Sequence, residues 1–206
     1  MKLVVVGGHS RNIGKTSVAA GIIAATPELR WTALKLTQFG HGLCTSDGEP
    51  CECAVQDPKH PFSITKEENR GGAGDTSRFL AAGAAESYWV RTPQGGLASA
   101  MPEIRRLIAA HPYVIMESNS VLRFLRPDLY VMVLDGGTAD FKPSARENLD
   151  RADAFLLLEG PGTEARGQPA WQDVPRGLIE RRPLFRVRPP DYFTPDLLPL
   201  LRSKLA

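Results

Sequence analysis

The chain has 206 residues, 42% hydrophobic and 23% charged, with a formal net charge of +2. That length predicts one domain with its own core, and so small a net charge argues against a nucleic-acid or membrane partner. No apolar run nears the ~20 residues of a membrane-spanning helix, and the N-terminal Lys, strand-length run and glycine loop do not read as a signal peptide, so a soluble cytoplasmic protein is expected.

In chain order, apolar runs of strand length fall at residues 2–7, 31–36, 87–91, 113–117, 129–135, 153–158 and 183–187. Helical patterns fill most of the gaps: KTSVAAGIIAA, DTSRFLAAGAAE, ASAMPEIRRLIAA, PSARENLDRA and the final TPDLLPLLRSKL. In the last of these Thr194 reads as N-cap and Pro195 as the first helical residue. The runs YVMVLD and AFLLLE are apolar throughout rather than alternating, which suits strands covered on both faces. This alternation predicts an α/β, three-layer domain over residues 1–206 with a mainly parallel sheet of about seven strands. An irregular insertion rich in Gly, Pro, Asp and Glu interrupts it at about 38–73, long for a compact domain.

The stretch GGHSRNIGKTS, residues 7–17, lies between the first strand and a helix. A phosphate loop works because backbone N–H groups converge on anionic oxygens at a helix N-terminus. Gly8, His9, Ser10, Arg11, Asn12, Ile13, Gly14, Lys15, Thr16 and Ser17 form the candidate cradle. Lys15 would reach the β/γ-phosphates and the Thr16 hydroxyl would face Mg²⁺. The usual spacing would put glycine at position 9, where this chain has His9. The spacing here is Gly8-x5-Gly14-Lys15-Thr16, one residue longer.

That longer loop resembles dethiobiotin synthetase, an ATP-dependent enzyme. WTALKLT resembles that family's second strand, which ends in a lysine near the phosphates, here Lys35. Both features resemble the SIMIBI class of P-loop NTPases. A longer resemblance, over roughly residues 1–135, is to molybdopterin-guanine dinucleotide biosynthesis protein B. Its Asp-Ser-x-Arg…Ala-Gly-Ala pattern is matched by Asp75, Ser77, Arg78 and Ala82-Gly83-Ala84, with Thr76 inserted, and its strand ending in Glu is matched by YVIME with Glu117. The chain departs from that family at the loop glycine, at Ser118-Asn119 in place of Gly-Phe, and in the insertion. The resemblance implies a P-loop NTPase of accessory or maturation type in molybdenum cofactor biosynthesis. It would bind ATP or GTP with Mg²⁺, hydrolyse it slowly, and act through a protein partner or as a homodimer.

On chemical grounds Glu117, a carboxylate at a strand end, is placed to hold Mg²⁺ with Thr16. Asp75 could add a second carboxylate or cap the helix beginning at Thr76, two roles that are compatible. Arg78 could reach a phosphate or pair on the surface. For hydrolysis the candidate catalytic residues are Lys15, Asp75 and Glu117, with Lys35 and Arg78 as further nucleotide contacts. The base is open between ATP and GTP, since Glu159-Gly160 stands where guanine-binding loops carry Asn-Lys.

All three cysteines, Cys44, Cys51 and Cys53, fall in the insertion, and His41 completes His-x2-Cys-x6-Cys-x-Cys. Such a set could hold Zn²⁺ or an iron–sulfur cluster, or be reduced surface thiols. His60 and His111 have no such company. RFLRPDLY either lines an anionic site, approaches a partner subunit or simply connects to the next strand, and residues 160–182 read as a surface segment with a short helix. Two further functions therefore stand beside the NTPase: a small-molecule ligase or kinase like dethiobiotin synthetase, and a metal-binding sensor or carrier gated by nucleotide.

Overall fold

The computed structural model describes residues 1–39, 61–160, 170, 171, 174 and 176–206. Among these, eight strands form one sheet: β1 (Lys2–Gly8), β2 (Thr32–Phe39), β3 (Ser63–Lys66), β4 (Glu86–Pro93), β5 (Tyr113–Glu117), β6 (Leu129–Asp135), β7 (Ala154–Leu158) and β8 (Leu184–Val187). Their spatial order is β3-β4-β2-β5-β1-β6-β7-β8. Every pairing is parallel except β3 with β4. The helices are α1 (Lys15–Ala25), α2 (Asp75–Ala81), α3 (Leu97–Ala109), α4 (Pro143–Arg146), α5 (Arg176–Glu180) and α6 (Leu198–Leu205).

Alternation along β1 shows why the protein has three layers. Leu3 and Val5 pack with Leu97, Met101, Ile104 and Ile108 of α3 on one face. Val4 and Val6 pack with Val18, Ile22 and Ile23 of α1 and with Leu201 and Leu205 of α6 on the other. A strand covered on both sides needs no polar residue on either face, which is the pattern read in the sequence. The helix α1 is itself pressed between the sheet and the C-terminal segment. A Cβ on Gly21 would lie 2.8 Å from the Cβ of Phe193, so only glycine permits this approach.

The mainly parallel sheet of about seven strands is found as expected; among the described residues it has eight, because β3 forms within the stretch expected to be irregular and adds an antiparallel edge. The expected helix over PSARENLDRA is only the single turn of α4 followed by a 3-10 turn at Leu149–Arg151. Asn148 ends it: its Nδ2 donates to the Ser144 carbonyl at 2.8 Å, competing with continued helix. At the C-terminus Thr194 caps as expected, accepting from the Asp196 N–H at 3.4 Å, with Pro195 following.

The chain leaves central β1 toward β2 on one side and later returns through β6 to fill the other. The carboxyl ends of β1, β2 and β5 therefore open at the point where strand order reverses, the usual place for a ligand crevice in such sheets.

Candidate functional site

The loop between β1 and α1 takes its shape from two left-handed residues, Asn12 (φ 51°) and Gly14 (φ 81°). A side chain at Gly14 would also meet Tyr192, whose ring edge would lie 2.6 Å from the added Cβ. His9 is completely buried. Its Nε2 accepts from the Asp135 N–H at 2.9 Å, so Nδ1 carries the proton and donates to the Asp140 carbonyl at 2.8 Å. The ring lies 5.1 Å from Phe141 and 6.3 Å from Trp171. Burial pushes the His9 pKa down, against the pull of Asp140 and Asp135, so the ring is neutral. Its backbone continues the sheet, with the His9 N–H donating to Val133 and the Lys142 N–H donating to His9. Position 9 is thus an anchor that moors the loop to the end of β6.

A second anchor comes from the other side. Asn119 accepts from the Gly8 N–H at 2.9 Å and donates to the Gly8 carbonyl at 2.8 Å, as a neighbouring strand would. Gly7 must lack a side chain, since a Cβ there would meet Asn119 Oδ1 at 2.3 Å and Tyr130 at 2.8 Å. Sequence reading missed this use of Asn119 and the structural role of His9, because both depend on partners over a hundred residues away.

At the loop's end the Thr16 hydroxyl donates to Glu117 Oε2 at 2.6 Å. Lys35 Nζ bridges Glu117 Oε1 at 2.5 Å and Asp75 Oδ2 at 2.9 Å. Glu117 is only 3% exposed. Burial opposes the charge on Lys35, yet Glu117 and Asp75 outweigh it and raise its pKa. Asp75 is likewise disfavoured by burial but held below the usual carboxylate range by Lys35. Lys15 has no such compensation: burial lowers its pKa, Glu117 opposes this only in part, and its Nζ donates to the Ser10 carbonyl at 2.8 Å. Asp75 is the first residue of α2 and Gly74 is its N-cap, so the expected capping role of Asp75 is replaced by its ion pair with Lys35. Arg78 donates to the Ser17 hydroxyl at 2.7 Å and faces Asp75 at 3.7 Å.

These groups line a cavity of about 590 Å³ that holds Arg11 to Ser17, Lys35, Asp75, Arg78 and Glu117 together. It also contains Lys142 and Tyr192, which sequence reading did not single out, and extends to Gln38, Gln94 and Ser120. Glu159 does not face it as a free acceptor: Arg186 at 2.5 Å and Arg188 at 3.3 Å engage its two oxygens. Arg123 pairs with Glu147 at 2.6 Å, and Phe124 and Leu125 pack on the core, so this part of RFLRPDLY is structural. His111 ends the α3 turn, far along the chain from these groups, 4.0 Å from Glu86. His41, Cys44, Cys51, Cys53 and His60 lie outside the described residues. Among the described residues no three His, Cys, Asp or Glu side chains converge as a metal cage.

The doubly covered parallel sheet and its strand–loop–helix opening at β1 define the P-loop NTPase fold. Among solved structures the chain is similar to HypB from Helicobacter pylori in complex with nickel, at a TM-score of 0.52 and 12% identity over 98% of this chain and 86% of that one. It is also similar to LpxK from Aquifex aeolicus in complex with ATP, at a TM-score of 0.46 and 17% identity over 90% of this chain and 53% of that one. No family model and no curated protein matches the sequence. No helix among the described residues is long and apolar enough to cross a membrane.

Proposed function

We propose that the protein is a Mg²⁺-dependent NTPase of accessory or maturation type, similar to molybdopterin-guanine dinucleotide biosynthesis protein B, which binds ATP or GTP and acts through a partner or a second copy. One observation carries this reading: the Thr16 hydroxyl and the buried Glu117 carboxylate meet at 2.6 Å beside the loop lysine. Both are hard oxygen donors, and Mg²⁺ is commonly held by one or two such groups together with substrate phosphates rather than by a protein cage. Thr16 and Glu117 would hold the ion, which supplies charge neutralisation at the β/γ-phosphate oxygens.

The chain's own groups do the rest. Backbone N–H groups of residues 12–16 surround the phosphates, and Lys15 places a mobile cation against developing negative charge. Lys35 holds Glu117 and Asp75 in place. Asp75, at the cavity's edge with one oxygen on Lys35, can orient a water. Lys15→Ala is the test. By calorimetry with Mg²⁺, ATP or GTP affinity is expected to fall by about 100-fold or more, ~2.7 kcal/mol. Undiminished binding of both nucleotides would refute the loop assignment.

A second reading, phosphoryl transfer to a small molecule as in dethiobiotin synthetase, is favoured by the cavity's extension past Lys35 to Gln38, Gln94 and Ser120. The cysteine cluster supports a further metal-handling role, tested by the iron, sulfide and zinc content of protein purified without oxygen.

A further inference from the structure

We propose that the cavity contains, next to the phosphate loop, a second anion subsite formed by Lys142 and Arg11, which takes a small acceptor molecule carrying its own carboxylate or phosphate. The proposal rests on the nucleotide reading above and names the substrate class for the same cavity. Five cationic side chains line it, Arg11, Lys15, Lys35, Arg78 and Lys142, against two carboxylates, Asp75 and Glu117. Both carboxylates are already taken by Lys35, and Asp75 also faces Arg78. Lys15 serves the loop. Arg11 and Lys142 remain, and among the described residues neither forms an ion pair with a carboxylate. Asp140, which attracts Lys142 from a distance, has one oxygen held by the Ser10 hydroxyl at 2.5 Å.

Lys142 is also fixed in place. Its N–H donates to the His9 carbonyl at 2.8 Å, and the preceding Phe141 packs on the His9 ring. Whatever positions the phosphate loop therefore positions Lys142 beside it. Beyond it Ser144, Ser120 and Gln38 line the same cavity with neutral hydrogen-bonding groups. Lys142 is partly buried without a paired counter-charge, which is costly, and an anionic ligand spanning it and the exposed Arg11 relieves that cost. Burial, then repulsion from Lys15, Arg11 and Lys35, lowers the Lys142 pKa to about 8 despite Asp140. A bound anion favours the charged amine, so its affinity should fall as the pH rises through about 8.

The experiment saturates the protein with Mg²⁺ and a non-hydrolysable ATP or GTP analogue, whose triphosphate fills the loop, and then titrates inorganic phosphate by calorimetry. Single-site phosphate binding is expected, weakened about tenfold or more in Lys142→Gln and in Arg11→Gln, with analogue affinity in Lys142→Gln within about threefold of wild type. The wild-type loss of phosphate affinity above pH 8 should shrink in Lys142→Gln. Absence of phosphate binding to the analogue complex would overturn the subsite. So would an equal loss of analogue and phosphate in Lys142→Gln, which would assign Lys142 to the nucleotide. Failure of the analogue to bind wild type would instead overturn the nucleotide reading itself.

Discussion

Glu117 shows what one buried charge demands. Its carboxylate is nearly inaccessible, and its two oxygens are held by Thr16 and Lys35. Removing the cation leaves an uncompensated buried charge, which typically costs far more than an exposed pair contributes. Lys35→Met is therefore expected to lower stability by about 3 kcal/mol at neutral pH in urea denaturation. In wild type the cluster stabilises over a wide range. Asp75, with its pKa lowered by Lys35, contributes above the unfolded carboxylate value of about 3.9 and loses that contribution as pH falls through its lower folded value. Lys35, with its pKa raised, contributes fully below about 10.4 and loses it as pH rises through its folded value. An unchanged Lys35→Met stability would show that Glu117 does not depend on Lys35 for its compensation. Lys15 and Thr16 are candidates from the sequence because the loop motif at the start of α1 announces them, Lys35 because its strand resembles one in a known family, and Glu117 because it is a carboxylate ending an apolar run. Asn119, Lys142 and Tyr192 could not be read in this way, since each acts through residues distant in the chain.

Among elements, the phosphate loop is the instructive case. Glycine at position 9, where the usual spacing puts the motif's first glycine, would allow the backbone to turn freely, whereas His9 uses its ring to join β6, the segment after it and Trp171. Restoring glycine by His9→Gly removes a fully buried side chain and leaves the Asp135 N–H without its acceptor. A loss of about 2–4 kcal/mol is expected in denaturant unfolding, with weaker rather than stronger nucleotide binding. A stable, tighter-binding variant would show that the histidine is dispensable. The element pattern itself was largely legible: central strands buried on both faces announce themselves by unbroken apolar runs. The edge strand β3 did not, because SITK carries no such run and sits among Gly, Pro and charged residues. The shortened helix at α4 turned on a single Asn148 side chain, a competition that helical periodicity does not register.

Across the whole molecule, the site joins segments that are remote in sequence: the loop after β1, the ends of β2 and β5, the start of α2, and Lys142 before α4. A ligand contacting all of them binds only the folded state, so its binding energy becomes folding energy. At a nucleotide concentration 100 times Kd this linkage amounts to about 2.7 kcal/mol. For a chain of 206 residues, with about 2–4 °C per kcal/mol, thermal unfolding should shift upward by roughly 5–10 °C with Mg²⁺ and the preferred nucleotide. Differential scanning calorimetry of wild type and Lys15→Ala tests this directly. The unliganded variant should melt at or slightly above wild type, because it loses a partly buried cation whose pKa is already lowered by its surroundings. Its nucleotide shift should vanish. Chelating the metal should reduce the wild-type shift without abolishing stability, since Lys35 already compensates Glu117 when no divalent ion is bound. A shift of equal size in the variant would place the nucleotide elsewhere on the molecule.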